Sequence, residues 1–323
     1  MITIFCTPKP FRGHIAMIQR NALQSWKLLG PDMEVMVFGD EEGAAEVCRE
    51  LGLRHEPGVQ RTETGTKRVD YLFSAAQRLA RHDLLCYANC DIVFPSSFRA
   101  CLERLAAWRK HFLMVGRRWD LDVTEPLNFD SSSWQEDLLG KAVRHGRRIP
   151  AYNIDYFAFP RGLFAEIPPL VLGRIWWDHW LVWKAAEQGA PVVDASRLVY
   201  AVHQNHDYAY HPQGKVGVFD DAEANRNFYV AGGWKNLHTI ADASHRLTAS
   251  GIRRNYLGAL APLGRVFVRP WRKLRAATRT RVWHPLLRWT APVRHALGLR
   301  REVLAAPVRS LKLKLTQPRK HSP

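Results

Sequence analysis

Leu84-Leu85-Cys86-Tyr87-Ala88-Asn89-Cys90-Asp91 is an uncharged run that ends on an amide, a thiol and a carboxylate. Its apolar part is too short for a buried helix and fits a fully buried strand, with Asn89 and Asp91 at the carboxyl end. The same punctuation recurs upstream. Ile2 to Cys6 is a strand closed by Thr7-Pro8. Arg12 to Leu29 carries Ile15, Ile18, Leu23, Trp26 and Leu29 near helical spacing until Gly30-Pro31-Asp32 stops it. Met33 to Phe38 is a second strand closed by Gly39-Asp40, Glu41 to Leu51 a short helix, Pro57 to Gly65 a polar loop, and Lys67 to about Arg81 a further helix. Strands alternating with helices in this way predict an α/β domain with a largely parallel sheet.

Downstream the pattern is less regular. Phe112 to Gly116 reads as a strand followed by the charged stretch Arg117 to Asp122. Trp134 to His145 reads as a helix, Tyr152 to Phe159 as a strand, Trp177 to Gln188 as a helix, and Val192-Val193 and Val199 to Val202 as short strands. With 323 residues, 46% of them apolar, the chain can bury a large core. Five scattered cysteines without a CxxC pair fit a reducing compartment. The amino terminus reads as a strand and not as a basic, then apolar, secretory signal. The most apolar region, Ile167 to Trp183, is broken by Arg174 and Asp178 and predicts no membrane-spanning helix. A cytoplasmic location follows as the expectation.

Charge divides the chain. Arg253 to Pro323 holds 18 Lys and Arg against one acid, Glu302, and so carries the whole net charge of +17; residues 1–252 hold 29 of each sign. A neutral body argues against nucleic acid as its substrate. The domain boundary is expected at 251/252.

Three segments carry candidate chemistry. Ligands of a parallel α/β sheet bind at the carboxyl ends of its strands. Asp91, helped by Asn89, is therefore placed to hold Mg2+ or Mn2+ through oxygen, with positions left for two phosphate oxygens. The same tripeptide also reads as a strand-end cap and a turn. Trp176-Trp177-Asp178-His179-Trp180 sets a carboxylate at a helix start among indoles whose faces suit the apolar faces of sugars. Asp178 is either a general base for a hydroxyl or the helix N-cap. Val202-His203-Gln204-Asn205-His206-Asp207-Tyr208, with His211 nearby, offers imidazole ligands for Mn2+ or is a polar loop of hydrogen-bonded histidines. No phosphate-binding GxxxxGK[ST] loop, GxSxG elbow or GxGxxG turn is present.

In this order, Asp91, Asp178 and His203 resemble the metal, base and carboxyl-terminal metal positions of the GT-A nucleotide-diphospho-sugar glycosyltransferases. Tyr152 to Arg161 and Val202 to Tyr208 are similar to stretches in bacterial family-2-like members. The resemblance covers about residues 1–245. It implies a Rossmann-like first half and metal-dependent, inverting transfer of a sugar from a nucleoside diphosphate, UDP first, to a glycan or lipid-linked glycan in polysaccharide biosynthesis. It further implies Asp91 as main metal ligand with Asn89 where the family usually has Asp, and His203 as second ligand with His206 in reserve. Asp178 is then the base. Thr7, Pro8 and Asp40 border the nucleotide, with Asn89 and Asp91 also on the donor side. Asp155, Arg161, Trp177, Arg117 and Asp120, with Arg118 and Asp122, lie toward donor sugar or acceptor. For Asp155, Arg161, Arg117, Arg118, Asp120 and Asp122 an ordinary ion-pair role is the alternative. The missing charge at Asn89 leaves the metal weakly held without nucleotide or held mostly by the diphosphate, or marks a relative that binds without catalysis.

The basic tail mixes Arg and Lys with Trp271, Trp283, Trp289 and a helical stripe of Val and Leu. That composition suits peripheral attachment to an anionic membrane surface. Nucleic-acid binding, a docking tail and disorder are its alternatives. For the whole chain, two other classes stand beside the transferase: a metal-dependent hydrolase built on His203 and His206, and a non-catalytic module that binds membrane or nucleic acid.

Overall fold

The first strand, β1 (Ile2–Cys6), is buried along its whole length. Its side chains alternate between two cores, as a strand covered on both faces requires. Phe5 packs with Phe73, Tyr87 and Phe159 on one face, and Ile4 and Cys6 pack with Trp26, Val35 and Cys86 on the other. The computed structural model describes residues 1–207, 218–256 and 258. After β1 come α1 (Gly13–Lys27), β2 (Met33–Phe38), α2 (Ala44–Leu51), β3 (Arg54–Glu56), α3 (Val69–Leu79) and β4 (Leu84–Ala88). Strands β3, β2, β1 and β4 lie side by side and parallel, which is the Rossmann-like half that was expected.

The rest of the chain completes this sheet and adds a second. Its elements are β5 (Ile92–Val93), α4 (Ser97–Trp108), β6 (Leu113–Val115), β7 (Arg118–Leu121), α5 (Trp134–His145), β8 (Arg147–Arg148), β9 (Tyr156–Pro160) and α6 (Trp177–Glu187). They continue with β10 (Val192–Asp194), β11 (Ala201–Gln204), α7 (Ala222–Val230), β12 (His245–Thr248) and β13 (Gly251–Arg254). The main sheet has nine strands in the order β13-β12-β10-β6-β9-β4-β1-β2-β3, and the small sheet has four, β5-β11-β7-β8. The main sheet is mostly parallel and flanked by helices. Only β9 and β13 run against it.

Two pairings position the site. Because β9 is antiparallel to β4, Tyr156 lies beside Ala88 and Pro160 beside Leu84. The chain just before β9 therefore meets the carboxyl end of β4, and the chain just after β9 leaves at the opposite end. In the small sheet β11 lies between β5 and β7, so His203 is paired with Ile92 on one side and Asp120 on the other. Gln204 is fully buried and fixes this join: its amide reaches the carbonyl of Ile18 at 2.7 Å, and its backbone N–H donates to the carbonyl of Asp91 at 3.1 Å.

Several expectations are corrected. The charged stretch after Gly116, to which no element was assigned, contains a strand at Arg118 to Leu121, and β9 starts at Tyr156 and not Tyr152. Strand β11 begins and ends later than expected and takes His203 into the sheet. The expected boundary at 251/252 falls inside the hairpin of β12 and β13, where Gly251 has φ 124°. All five cysteines are free and buried. Among the described residues no helix is long and apolar enough to cross a membrane.

A buried amide on α7 anchors the segment that leads into α6. Asn227 is fully buried; it accepts from Val171 N–H at 2.9 Å and donates to the carbonyls of Val171 at 2.9 Å and Ile175 at 3.1 Å. Asn227→Ala leaves these groups without partners, and we expect urea unfolding to report a loss of about 1–3 kcal/mol.

Candidate functional site

Asp91 follows β4 by three residues, His203 is on β11 and His206 lies just past it. One ligand atom from each falls within 4.8 Å of the others. His206 Nε2 is 3.0 Å and His203 Nε2 3.8 Å from the same oxygen, Asp91 Oδ2. The outer nitrogens face oxygen acceptors: His206 Nδ1 lies 2.6 Å from the carbonyl of Asp207, and His203 Nδ1 lies 3.2 Å from Asp120 Oδ1. A carbonyl can only accept, so the His206 ring carries a proton on Nδ1. The ring then meets the carboxylate either as an imidazolium that donates from Nε2 or, when neutral, through a cation shared by Nε2 and Oδ2. Histidines that ligate metals are oriented in this way by a carbonyl or carboxylate on the second nitrogen.

The rest of the Asp91 environment agrees. Burial opposes ionisation, but His203, His206 and Lys9 hold its carboxyl far below the usual carboxylate range. Its second oxygen, Oδ1, is buried without a hydrogen-bond partner among the described residues. A buried charged oxygen is costly to leave unpaired. One carboxylate and two imidazoles around it are a donor set that fits a divalent metal, more naturally Mn2+ than the oxygen-preferring Mg2+. Lys9 Nζ stands 3.2 Å from His206 Nε2. Burial pushes its ammonium below the usual lysine range, and the charge of Asp91 works against that shift.

Behind the cluster runs a chain of buried charges. The Arg118 guanidinium bonds Asp120 at 2.8 Å and Asp155 at 2.5 Å. Burial opposes its charge, and the two carboxylates outweigh burial, so its pKa is raised. Asp155 in turn accepts from the Asn89 side chain at 2.9 Å, while the Asn89 carbonyl oxygen accepts from the Tyr87 hydroxyl at 3.0 Å. Both ends of the Asn89 amide are thus engaged. Asn89, expected as a helper to the metal, has one lone pair of its oxygen engaged by Tyr87 and its amide nitrogen by Asp155. Asp120, expected among the sugar contacts, is instead turned to His203 and Arg118.

Asp178 lies in the first turn of α6, and the cap position belongs to Trp176, with no side-chain cap bond, so the reading of Asp178 as N-cap does not hold. Burial pushes its carboxyl above the usual range, and the charge of Asp155 adds to this against the pull of His179. Its Oδ1 is buried with no partner among the described residues. Trp176 has φ 90°, a left-handed conformation that costs a bulky residue about 1–3 kcal/mol and clusters at functional sites. Phe228 and Trp234 pack on its ring at 5.7 and 5.1 Å. Trp177 is buried beneath, edge-on to Tyr87 at 5.3 Å, and serves as core.

At the carboxyl ends of β1 and β2, Lys67 donates to the Thr7 hydroxyl and, at 3.0 Å, to the Pro8 carbonyl, and pairs with Glu41 at 2.5 Å. Arg61 joins Asp40 at 2.8 Å and Glu41 at 2.9 Å. Thr7, Pro8 and Asp40 therefore share one edge with Asp91, as the parallel pairing requires. Asp122 binds the Asn205 side chain at 2.7 Å. Two expected contacts lie elsewhere. Arg161 bonds Asp83 and the carbonyls of Ala80 and His82, at the opposite end of the sheet, because it follows the antiparallel strand. Arg117 turns its guanidinium to the Ile149 carbonyl at 2.6 Å. Tyr208 and His211 lie outside the described residues. Lys9, Lys67, Glu41 and Tyr87 were missed by the sequence reading. Of these, Lys9 carried a signal, being a cation just past the carboxyl end of a buried strand.

No protein-family model matches the chain, and no curated protein matches it. Among solved structures the chain is similar to glucosyl-3-phosphoglycerate synthase from Mycobacterium tuberculosis in complex with Mn2+, UDP-glucose and phosphoglyceric acid, at 10% identity, 72% coverage of this chain and 80% of that one, with a TM-score of 0.45. With the same enzyme in complex with Mg2+ and UDP the figures are 13%, 64%, 72% and 0.41. With residues 1–349 of S. aureus TarS in complex with UDP-GlcNAc they are 12%, 64%, 58% and 0.43, so the chain spans less than two thirds of that structure.

The raised pKa of Asp178 sets a sign for stability. Above the ordinary value of 3.8 the unfolded carboxyl ionises while the folded one resists, so the group costs stability there and nothing at lower pH. Asp178→Asn is expected to raise the melting temperature at pH 7, with the gain vanishing below the ordinary Asp pKa. A melting series over pH measures it.

Proposed function

We propose that this chain is a GT-A-type glycosyltransferase that moves a sugar from a nucleoside diphosphate to a hydroxyl of a glycan or lipid-linked glycan, with inversion at the anomeric carbon. The observation that carries the reading is the cluster of Asp91, His203 and His206 at the carboxyl edge of a mostly parallel sheet, with the Asp91 Oδ1 buried and unpaired. A divalent metal held by Asp91, His203 and His206 supplies positive charge against a diphosphate leaving group.

The remaining steps belong to the chain. Thr7, Pro8, Asp40, Lys67 and Arg61 border the nucleotide along the edge of β1 and β2. Asp178 takes the proton of the acceptor hydroxyl, for which a carboxyl pushed up by burial is better matched than an ordinary one. The acceptor oxygen forms its bond to the anomeric carbon as the bond to the diphosphate breaks, and attack from the face opposite the leaving group inverts the centre. Arg118 holds Asp120, whose carboxylate lies 3.2 Å from His203 Nδ1, and Asp155 with Asn89 fixes the loop before β9.

The same donor set would also suit a metal-dependent hydrolase, and nucleotide dependence separates the two. UDP with Mn2+ is expected to raise the melting temperature well beyond either alone, because only the native state binds the pair. A hydrolase would answer to Mn2+ and ignore UDP. In a transfer assay Asp178→Asn should lower kcat by about 10²–10⁴ while UDP–Mn2+ binding persists. Asp91→Ala should abolish the Mn2+-dependent stabilisation. Normal turnover by either variant contradicts the assignment.

Membrane attachment through residues 253–323 belongs to the same proposal. Arg253 and Arg254 sit on β13, and residues from 259 onward lie outside those described. Sedimentation with phosphatidylserine vesicles should retain the full chain and release one ending at Pro262. Equal retention of both removes the tail from the account.

A further inference from the structure

Lys9 occupies an unusual place. It follows β1 by three residues, and its backbone is clamped on both sides by one side chain: Gln19 Oε1 accepts from Lys9 N–H at 2.7 Å, and Gln19 Nε2 donates to the Lys9 carbonyl at 2.8 Å. Gln19 is itself buried on α1. The clamp holds the base of the lysine still and aims its four-carbon stem into the cluster, where Nζ meets His206 Nε2 at 3.2 Å. That nitrogen is also the one 3.0 Å from Asp91 Oδ2. A cation from the chain thus stands at the corner where His206 and Asp91 need one.

Resting on the metal site proposed above, we propose that Lys9 is a displaceable counter-ion that couples metal binding to nucleotide binding. With no ligand present, its ammonium stands against His206 Nε2 and within electrostatic reach of Asp91. A dication entering alone must displace that ammonium and leave it half-buried beside a second positive charge. A nucleoside diphosphate entering with the metal brings phosphate oxygens that the ammonium can bind, because the stem can turn while the backbone stays clamped. Each ligand therefore removes the obstacle to the other, and the coupling is reciprocal. The asparagine at position 89 strengthens the effect. With one carboxylate among the three candidate ligands, one nearby ammonium offsets its charge, whereas a carboxylate pair would keep net charge for a metal.

The test is Mn2+ binding followed by electron paramagnetic resonance, with and without UDP, for the natural chain, Lys9→Met and Lys9→Gln. The two variants keep the stem length or a polar tip, and circular dichroism checks that each is folded. In the natural chain UDP should tighten Mn2+ by about tenfold or more, within the usual range of coupling between sites. In either variant Mn2+ alone should bind more tightly than to the natural chain, and the tightening by UDP should shrink by a similar factor. Equal Mn2+ affinity and an equal UDP effect in all three proteins overturn the role of Lys9 and leave the metal site intact. No Mn2+ binding in any of them, even with UDP, overturns the site and this proposal together.

Discussion

A single guanidinium, that of Arg118, joins the two sheets. It holds Asp155 from the loop before β9 and Asp120 from β7, and all three groups are largely removed from water. Removing charges from water is expensive, and removing one partner of such a group strands the others. The arrangement therefore tolerates few alternatives. Asp155 fixes Asn89 at the end of β4, and Asp120 lies beside His203 across the β7–β11 pairing. The distance between Asp91 and His203 is set by that pairing together with β5, which follows Asp91 directly and pairs with His203 through Ile92. The charge of Asp155 also reaches Asp178, so the same guanidinium indirectly influences the second carboxylate of the site.

Much of the main sheet was legible because its strands carry the pattern on their own. β1, β2 and β4 are continuous buried runs bounded by Gly, Pro or Asp, and α5 was legible to the residue from its apolar spacing. The small sheet was not. β5 and β8 are two residues long, and β7 reads Arg-Trp-Asp-Leu, which has the composition of a loop. Such strands exist because a neighbour pairs with them, and that neighbour is distant in sequence. Helix α4 has Phe98, Cys101, Leu102 and Leu105 buried on one face, a spacing that the sequence displays and that the reading left unassigned.

The site divides in the same way. Asp91, Asp178 and His203 were legible as residue types at ends of elements. Their partners were not, because Lys9, Arg118 and Asp120 acquire their parts only through pairing across the small sheet and the turn after β1. Arg161 went astray for a topological reason: it belongs to the strand that runs backwards. Asn89 shows the limit of motif reading most clearly. Its place in a tripeptide suggested a ligand, and nothing in that tripeptide showed that its amide also binds Tyr87 and Asp155 within the fold.

The reversed strand has a further consequence. Five register pairs lock β9 to β4, so its position is set independently of what precedes it. The segment before it, which crosses from β8 and carries Asp155, is connected to the site at one end and to a short edge strand at the other. Its backbone is pinned from outside the sheet as well: Ile240 N–H donates to the Ala151 carbonyl at 3.0 Å, and His179 Nε2 lies 2.7 Å from the Tyr152 carbonyl. The exposed Tyr152 side chain can therefore vary without moving Asp155 or any strand of the core.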